Sequence, residues 1–411
     1  MFDLAAALKA AKSGDTITIP PGDYGDVLIR RVSGLTLKAA GARFRTLVLS
    51  EVTGLALLGV AIAFTPDAKS VSSTSALRIT LSQGVVIDGG LLTGGLAIAG
   101  LPQDTPVSVS RSAAGDAIIG LPIGRGVTIE NSTDVTLRGV DVSRFHKAVV
   151  LSNVSGLRIL RNELHDVRTS PIVGGNVSHA LIEDNHLHTA RPWNYGGKGD
   201  HGDFIHLWTV AGKQTGPSDD IVIRSNLIDQ GQGDPILGIY LDDKGNGLGF
   251  TGVVIEDNTI LNGNAQGIAL ERVQGTVRRN VLAQTSGTPK QGPSLLLREA
   301  CDVVVEANDM PDTYGTVAKA AAGGVYCENV ARPIAIASAS DLAAMRGAWA
   351  ARFEAPVAAE PEAPPRDELR ERLAMRTGVK LEPLKTKGRI ILDFKKPAEA
   401  EAALAAVLAI S

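Results

Sequence analysis

The chain has 411 residues, 44% of them hydrophobic, with 45 Gly, 20 Pro and a formal net charge of −3. The near balance of 41 basic and 44 acidic residues leaves no basic footprint for nucleic acid or an anionic membrane. No apolar run reaches the roughly 18 residues of a membrane-spanning helix. With only 8 Phe, 5 Tyr and 3 Trp, the core must be built from Val, Ile, Leu and Ala, which suits narrow repetitive packing.

In chain order, Leu4, Leu8 and Ala11 come first, at helical spacing and directly after Met1-Phe2-Asp3. No basic n-region and apolar h-region precede them, so with Met1 as the natural start, export by the general secretory route is not expected. Short apolar triplets then recur, among them Leu35-Thr36-Leu37, Leu55-Ala56-Leu57, Val85-Val86-Ile87, Val135-Thr136-Leu137, Leu157-Arg158-Ile159, Ile221-Val222-Ile223, Val253-Val254-Ile255 and Val303-Val304-Val305. From Leu157 onward most lead to a charged pair and then an Asn. These are Asn162, Asn185, Asn226, Asn258, Asn280 and Asn308, spaced 23, 41, 32, 22 and 28 apart. The smallest spacing is the repeating unit, and larger values are that unit plus an inserted loop. A triplet alternates in and out with period two and is too short to stand alone, so the coils must stack. Antiparallel sandwiches turn more often, every 8–12 residues or so. Asn at a repeated corner tolerates a left-handed backbone, and its amide can bond the copies above and below.

The opening segment Leu4-x3-Leu8-x3-Lys12-x-Gly14-Asp15-Thr16-Ile17-x-Ile19-Pro20-x-Gly22-x-Tyr24 resembles the start of pectate-lyase-like right-handed parallel β-helix proteins. The resemblance covers about residues 1–335. It implies an all-β fold, a right-handed single-stranded parallel β-helix (solenoid) with an N-terminal capping helix, over residues 1–340. It does not imply one activity, because that superfamily holds lyases, hydrolases, epimerases and phage tailspikes.

Residues 341–365 read as a short amphipathic helix (Leu342, Met345, Trp349, Phe353) followed by an Ala/Pro/Glu linker. Residues 366–411 read as a small α+β domain of order αββα, too small to be comfortable alone. Its Lys387-Gly388-Arg389-Ile390-Ile391-Leu392-Asp393-Phe394 segment is similar to the C-terminal dimerisation domain of ParB-type chromosome-partitioning proteins, which implies homo-oligomer formation.

All seven histidines (His146, His165, His179, His186, His188, His201 and His206) fall between residues 146 and 206, where an aromatic cluster of Trp193, Tyr195, Phe204 and Trp208, continued by Tyr240, also begins. Aligning strands on their inward residues gives two outward columns. One runs Val150, Val173, His206, Tyr240, Ala269, Leu296; the other runs Ser152, Gly175, Trp208, Asp242, Glu271, Arg298. Neighbours in a column are about 4.8 Å apart. Asp242 and Glu271 are therefore candidates for paired carboxylate chemistry on a sugar, with crowding raising the pKa of one. Trp208 and Tyr240 are candidate sugar platforms, and Arg298, Arg272, Lys198 and Asp243 candidate substrate contacts. His201, Asp203 and His206 could supply a base with its orienting carboxylate. His201 and His206 are five apart on an extended strand, unlike the helical pair of a zinc site. Cys301 and Cys327 have no such neighbours either, so no metal or cofactor is expected. The D-P-H-D order of mannuronan epimerases is absent, and of the polygalacturonase motif set only Asp242-Asp243 is present. Extra residues at 191–200, 211–218, 230–235, 244–251 and 284–293 border the columns, as functional loops do.

The expected function is binding and depolymerisation of a bacterial surface polysaccharide, in the manner of a phage tailspike glycosidase or lyase. A non-catalytic virion or adhesion protein is the alternative. The expected location is a phage tail, with other virion proteins as partners, or else the cytoplasm; neither nucleic acid nor membrane insertion is expected.

Overall fold

A computed structural model describes residues 2–66, 73–95, 122–192, 194–195, 198–287, 292–299, 302–311, 325–327, 329–332 and 335–354. Met1–Trp349 forms one compact unit and Ala350–Ser411 a second. The linker and the association domain expected over 366–411 lie outside the described residues.

Helix α1 (Leu4–Ala10) is capped by Asp3, whose carboxylate accepts from Ala6 N at 2.9 Å. Leu4 is buried and Leu8 packs against the apolar end of the first coils. Beyond α1 the chain winds into stacked coils whose strands pair in parallel; the exception among the described strands is the antiparallel pair Asn194–Tyr195 and Lys198–Gly199. Each complete coil gives one strand to each of three faces. Face A carries the triplets, with Ile159, Ile182, Ile223, Ile255, Val277 and Val305 in register. Face B aligns Leu164, Leu187, Ile228, Ile260 and Leu282. Face C aligns Val149, Ile172, Ile205, Ile239, Ile268 and Leu295. These inward residues are all buried and form one continuous aliphatic core.

The Asn ladder stands at the corner between faces A and B. Asn162 donates from N and Nδ2 to Asn185 Oδ1 at 3.0 and 2.9 Å, and the same double bond repeats through Asn226, Asn258, Asn280 and Asn308 to Asn329. The left-handed residue is not the Asn, as its chemistry suggested, but the one before it: Arg161, Asp184, Ser225, Asp257, Arg279 and Ala307 have φ between 52° and 59°. The bend falls on this outer residue, which leaves the Asn side chain pointing inward. There its buried amide pairs with buried backbone that would otherwise be orphaned.

Helix α2 (Ala339–Glu354) lies on the outside of face B. Leu342, Met345 and Trp349 pack on Leu227, Leu261 and Ala283, Arg346 makes two bonds to Asp229 at 2.6 and 3.0 Å, and Trp349 Nε1 donates to Ser225 O at 2.7 Å.

Candidate functional site

Face C carries the two outward columns in the register expected from the sequence: Val173, His206, Tyr240, Ala269 and Leu296 in one, Gly175, Trp208 and Asp242 and then Glu271 and Arg298 in the other. Gly175 is needed beneath Trp208, since a Cβ there would collide with the indole and with Val210.

The centre of the site is His206. Its Nδ1 lies 3.1 Å from Asp203 Oδ2 and its Nε2 3.4 Å from Asp242 Oδ2, so the ring bridges two carboxylates. It stacks on Tyr240 with centroids 4.9 Å apart and meets Trp208 edge-on at 5.1 Å. Asp203 is buried at 1% exposure, because its strand position has inward parity; His201 Nδ1, on an exposed ring, reaches the same oxygen at 3.1 Å. Asp242 Oδ1 accepts from Lys244 N at 2.7 Å, and Lys244 Nζ sits 4.2 Å above the Trp208 ring.

One rung on, Tyr240 donates its hydroxyl to Glu271 Oε1 at 2.9 Å, and Arg298 Nη1 approaches the same oxygen at 3.3 Å. Burial, then the bond to Glu271, pushes the Tyr240 hydroxyl far above its ordinary ionisation range, so it remains a donor. Asp242 and Glu271 thus occupy adjacent rungs but each has its own partners, which differs from the single crowded pair expected. With His206 on its ring and Arg298 5.7 Å from its centroid, Tyr240 presents its hydroxyl edge rather than an open platform.

Other candidates fall elsewhere. Asp243 is fully buried and accepts from Gly247 N at 2.7 Å, Leu248 N at 3.1 Å, Gly249 N at 2.7 Å and Thr209 Oγ1 at 3.1 Å. Burial alone would raise its pKa, but these donors outweigh it and hold the carboxyl below the usual range. Asp243 is therefore the anchor of its loop and not a substrate contact. Arg272 pairs with Asp243 at 3.1 Å and with Glu299 at 2.9 Å, beside the columns. Lys198 lies in the short antiparallel strand pair, and its side chain is outside the described residues. Sequence reasoning missed Lys147, which enters face C two rungs before Asp203; burial, then Arg125 on the neighbouring rung, lowers its pKa.

The histidine cluster divides between faces. His201 and His206 belong to face C, whereas His165, His186 and His188 stand on the outside of face B with Glu163. Counting from each ladder Asn finds them: the first residue after it gives Glu163 and His186, the third gives His165 and His188.

The family described as right-handed β-helix region matches residues 125–329, the span containing the whole Asn ladder and every rung of the site. Residues 125–329 belong to that family. Solved structures similar to this β-helix include PfbA, a surface adhesin of Streptococcus pneumoniae, at 12% identity over 75% of this chain and 69% of that one, with a TM-score of 0.38. The periplasmic alginate epimerase AlgG is similar at 11% identity over 80% of this chain and 82% of that one, TM-score 0.48. A family 28 exopolygalacturonase from Yersinia enterocolitica is similar at 13% identity over 80% and 72%, TM-score 0.41. These likenesses concern the fold alone. No curated protein matches the chain by sequence.

Proposed function

We propose that face C binds and cleaves an acidic bacterial surface polysaccharide, with Asp242 exchanging a proton with the sugar and Glu271 as the second carboxylate. The observation that carries this reading is the chain Asp203–His206–Asp242 next to Tyr240–Glu271–Arg298 on successive rungs. Asp203 orients His206, and His206 relays a proton to and from Asp242. Tyr240 and Arg298 converge on one Glu271 oxygen and fix its direction. Lys244, Arg298 and Lys147 supply positive charge for acidic sugar groups, with Trp208 as the aromatic wall. Since both His206 nitrogens face carboxylates, the ring suits a relay better than a base that must offer a free nitrogen to substrate. Hydrolysis is therefore favoured over β-elimination.

Incubation of the protein with capsular and exopolysaccharides tests this by following reducing ends together with the ultraviolet absorbance of unsaturated sugars. New reducing ends without absorbance are expected. Absorbance would assign elimination instead, with His201 or His206 as base, and no product across a broad acidic panel would leave binding alone. Asp242→Asn and Glu271→Gln should each lower the rate by roughly 100-fold or more while melting like the parent. Unchanged rates in both would sink the assignment. Self-association through residues 366–411 and delivery on a virion are further parts of this proposal and rest on the sequence. Sedimentation of the full chain against a chain ending at residue 354 tests the former.

A further inference from the structure

Face B brings Glu163, His186 and His188 together, with one donor atom from each lying within 4.8 Å of the others. His188 Nε2 is 3.2 Å from Glu163 Oε1, and His186 Nδ1 is 3.8 Å from that same oxygen. Donors held about 2.0–2.1 Å from a tetrahedral ion stand about 3.3 Å apart, so these separations need only small side-chain adjustment to enclose one.

The surroundings fit a ligand set. Thr189 Oγ1 meets His188 Nδ1 at 2.9 Å, which turns Nε2 toward Glu163, the kind of orienting bond that ligating histidines have. Neither His186 nitrogen has a hydrogen bond among the described residues: Nε2 is buried without one, and Nδ1 faces Glu163 at a distance too long for one. His165 stacks on His188 at 4.8 Å and is committed to Asp141 at 3.0 Å and Asp166 at 2.7 Å, so it backs the cluster rather than joining it. The Trp349 ring of α2 lies 5.6 Å from the His186 ring and covers one side. Glu163 remains half exposed, which leaves a way in from solvent.

We propose that Glu163, His186 and His188 form a binding site for a divalent transition-metal ion of the zinc class. Two imidazoles with one carboxylate select against calcium and magnesium, which take oxygen ligands. Three protein ligands leave a fourth position for water or an anion. The ion would tie adjacent coils beside the α2 contact, on a face separate from the Asp242 and Glu271 columns.

The test uses the full chain, stripped with chelator and titrated with Zn2+ alone by calorimetry. One Zn2+ per chain is expected, weakened about tenfold or more in Glu163→Gln and in His188→Asn and unchanged in the face C variant His201→Asn/His206→Asn. A second readout needs no variant: Zn2+ should protect His186 and His188, but not His201, from diethyl pyrocarbonate, read by mass spectrometry. Absence of saturable binding, binding indifferent to the face B substitutions, or protection confined to His201 would overturn the site.

Discussion

At the scale of single residues, Asn226 serves three coils through one amide. Its Oδ1 accepts from Asn185 N and Nδ2, and its Nδ2 donates to Ile182 O and to Asn258 Oδ1. Asn226→Ala would strand the buried Asn185 N–H and remove the side-chain donor to Ile182 O, while Asn258 Oδ1 keeps the Asn226 backbone N–H, so a loss of about 2–4 kcal/mol is expected in denaturant unfolding. His146 sets a different dependence. Burial first, then Arg168 and Lys147, lowers its pKa from 6.5 to about 4. The unfolded chain takes up a proton near 6.5 while the folded chain resists until about 4, so His146 contributes stability above that window that is lost as pH falls through it. Melting temperature should drop between about pH 7 and about pH 5, and His146→Asn should flatten that drop.

At the scale of elements, loops and the helix hold the site and the core by a few buried anchors. Asp243 ties down the turn through Gly249, and that turn presents Lys244 to Trp208. Asp243→Ala should cost about 2–4 kcal/mol and weaken polysaccharide binding, read by thermal unfolding and by titration calorimetry. On face B, Arg346→Ala leaves the Asp229 carboxylate, 5% exposed, without its two-pronged partner, and hydrogen exchange across α2 should quicken. The strand elements were legible in the sequence because inward aliphatics such as Ile205, Ile239 and Ile268 mark register directly. From that register the adjacency of His206, Tyr240, Asp242 and Glu271 followed. Asp203 and Asp243 were not legible, since a carboxylate at a strand end reads the same whether it turns to solvent or is consumed by loop N–H groups. The division of the histidines was hidden for another reason: nearness in sequence says nothing of which face a residue occupies until the corners are fixed. The docking of α2 depends on Leu227 and Leu261, outward residues of face B strands that read in sequence like ordinary core aliphatics.

At the scale of the molecule, the coil separates tasks by face: a core on the inside, charged and aromatic columns on face C, and a helix with a histidine cluster on face B. With a net charge of −3 the whole chain does not attract a polyanion, so in the proposed function the attraction comes locally from Lys147, Lys244 and Arg298. Binding of an acidic polysaccharide should accordingly weaken several-fold between low and physiological salt, measured by calorimetry, whereas the melting temperature should change little. The Asn ladder also has a direction. Each rung's backbone N–H is satisfied by the amide oxygen of the coil that follows it in the chain, from Asn162 to Asn329. The ladder N–H of each coil is therefore satisfied only by its successor, so a solenoid cut after any ladder coil exposes an unpaired N–H at its C-terminal end and an unpaired amide oxygen at the N-terminal end of the piece removed.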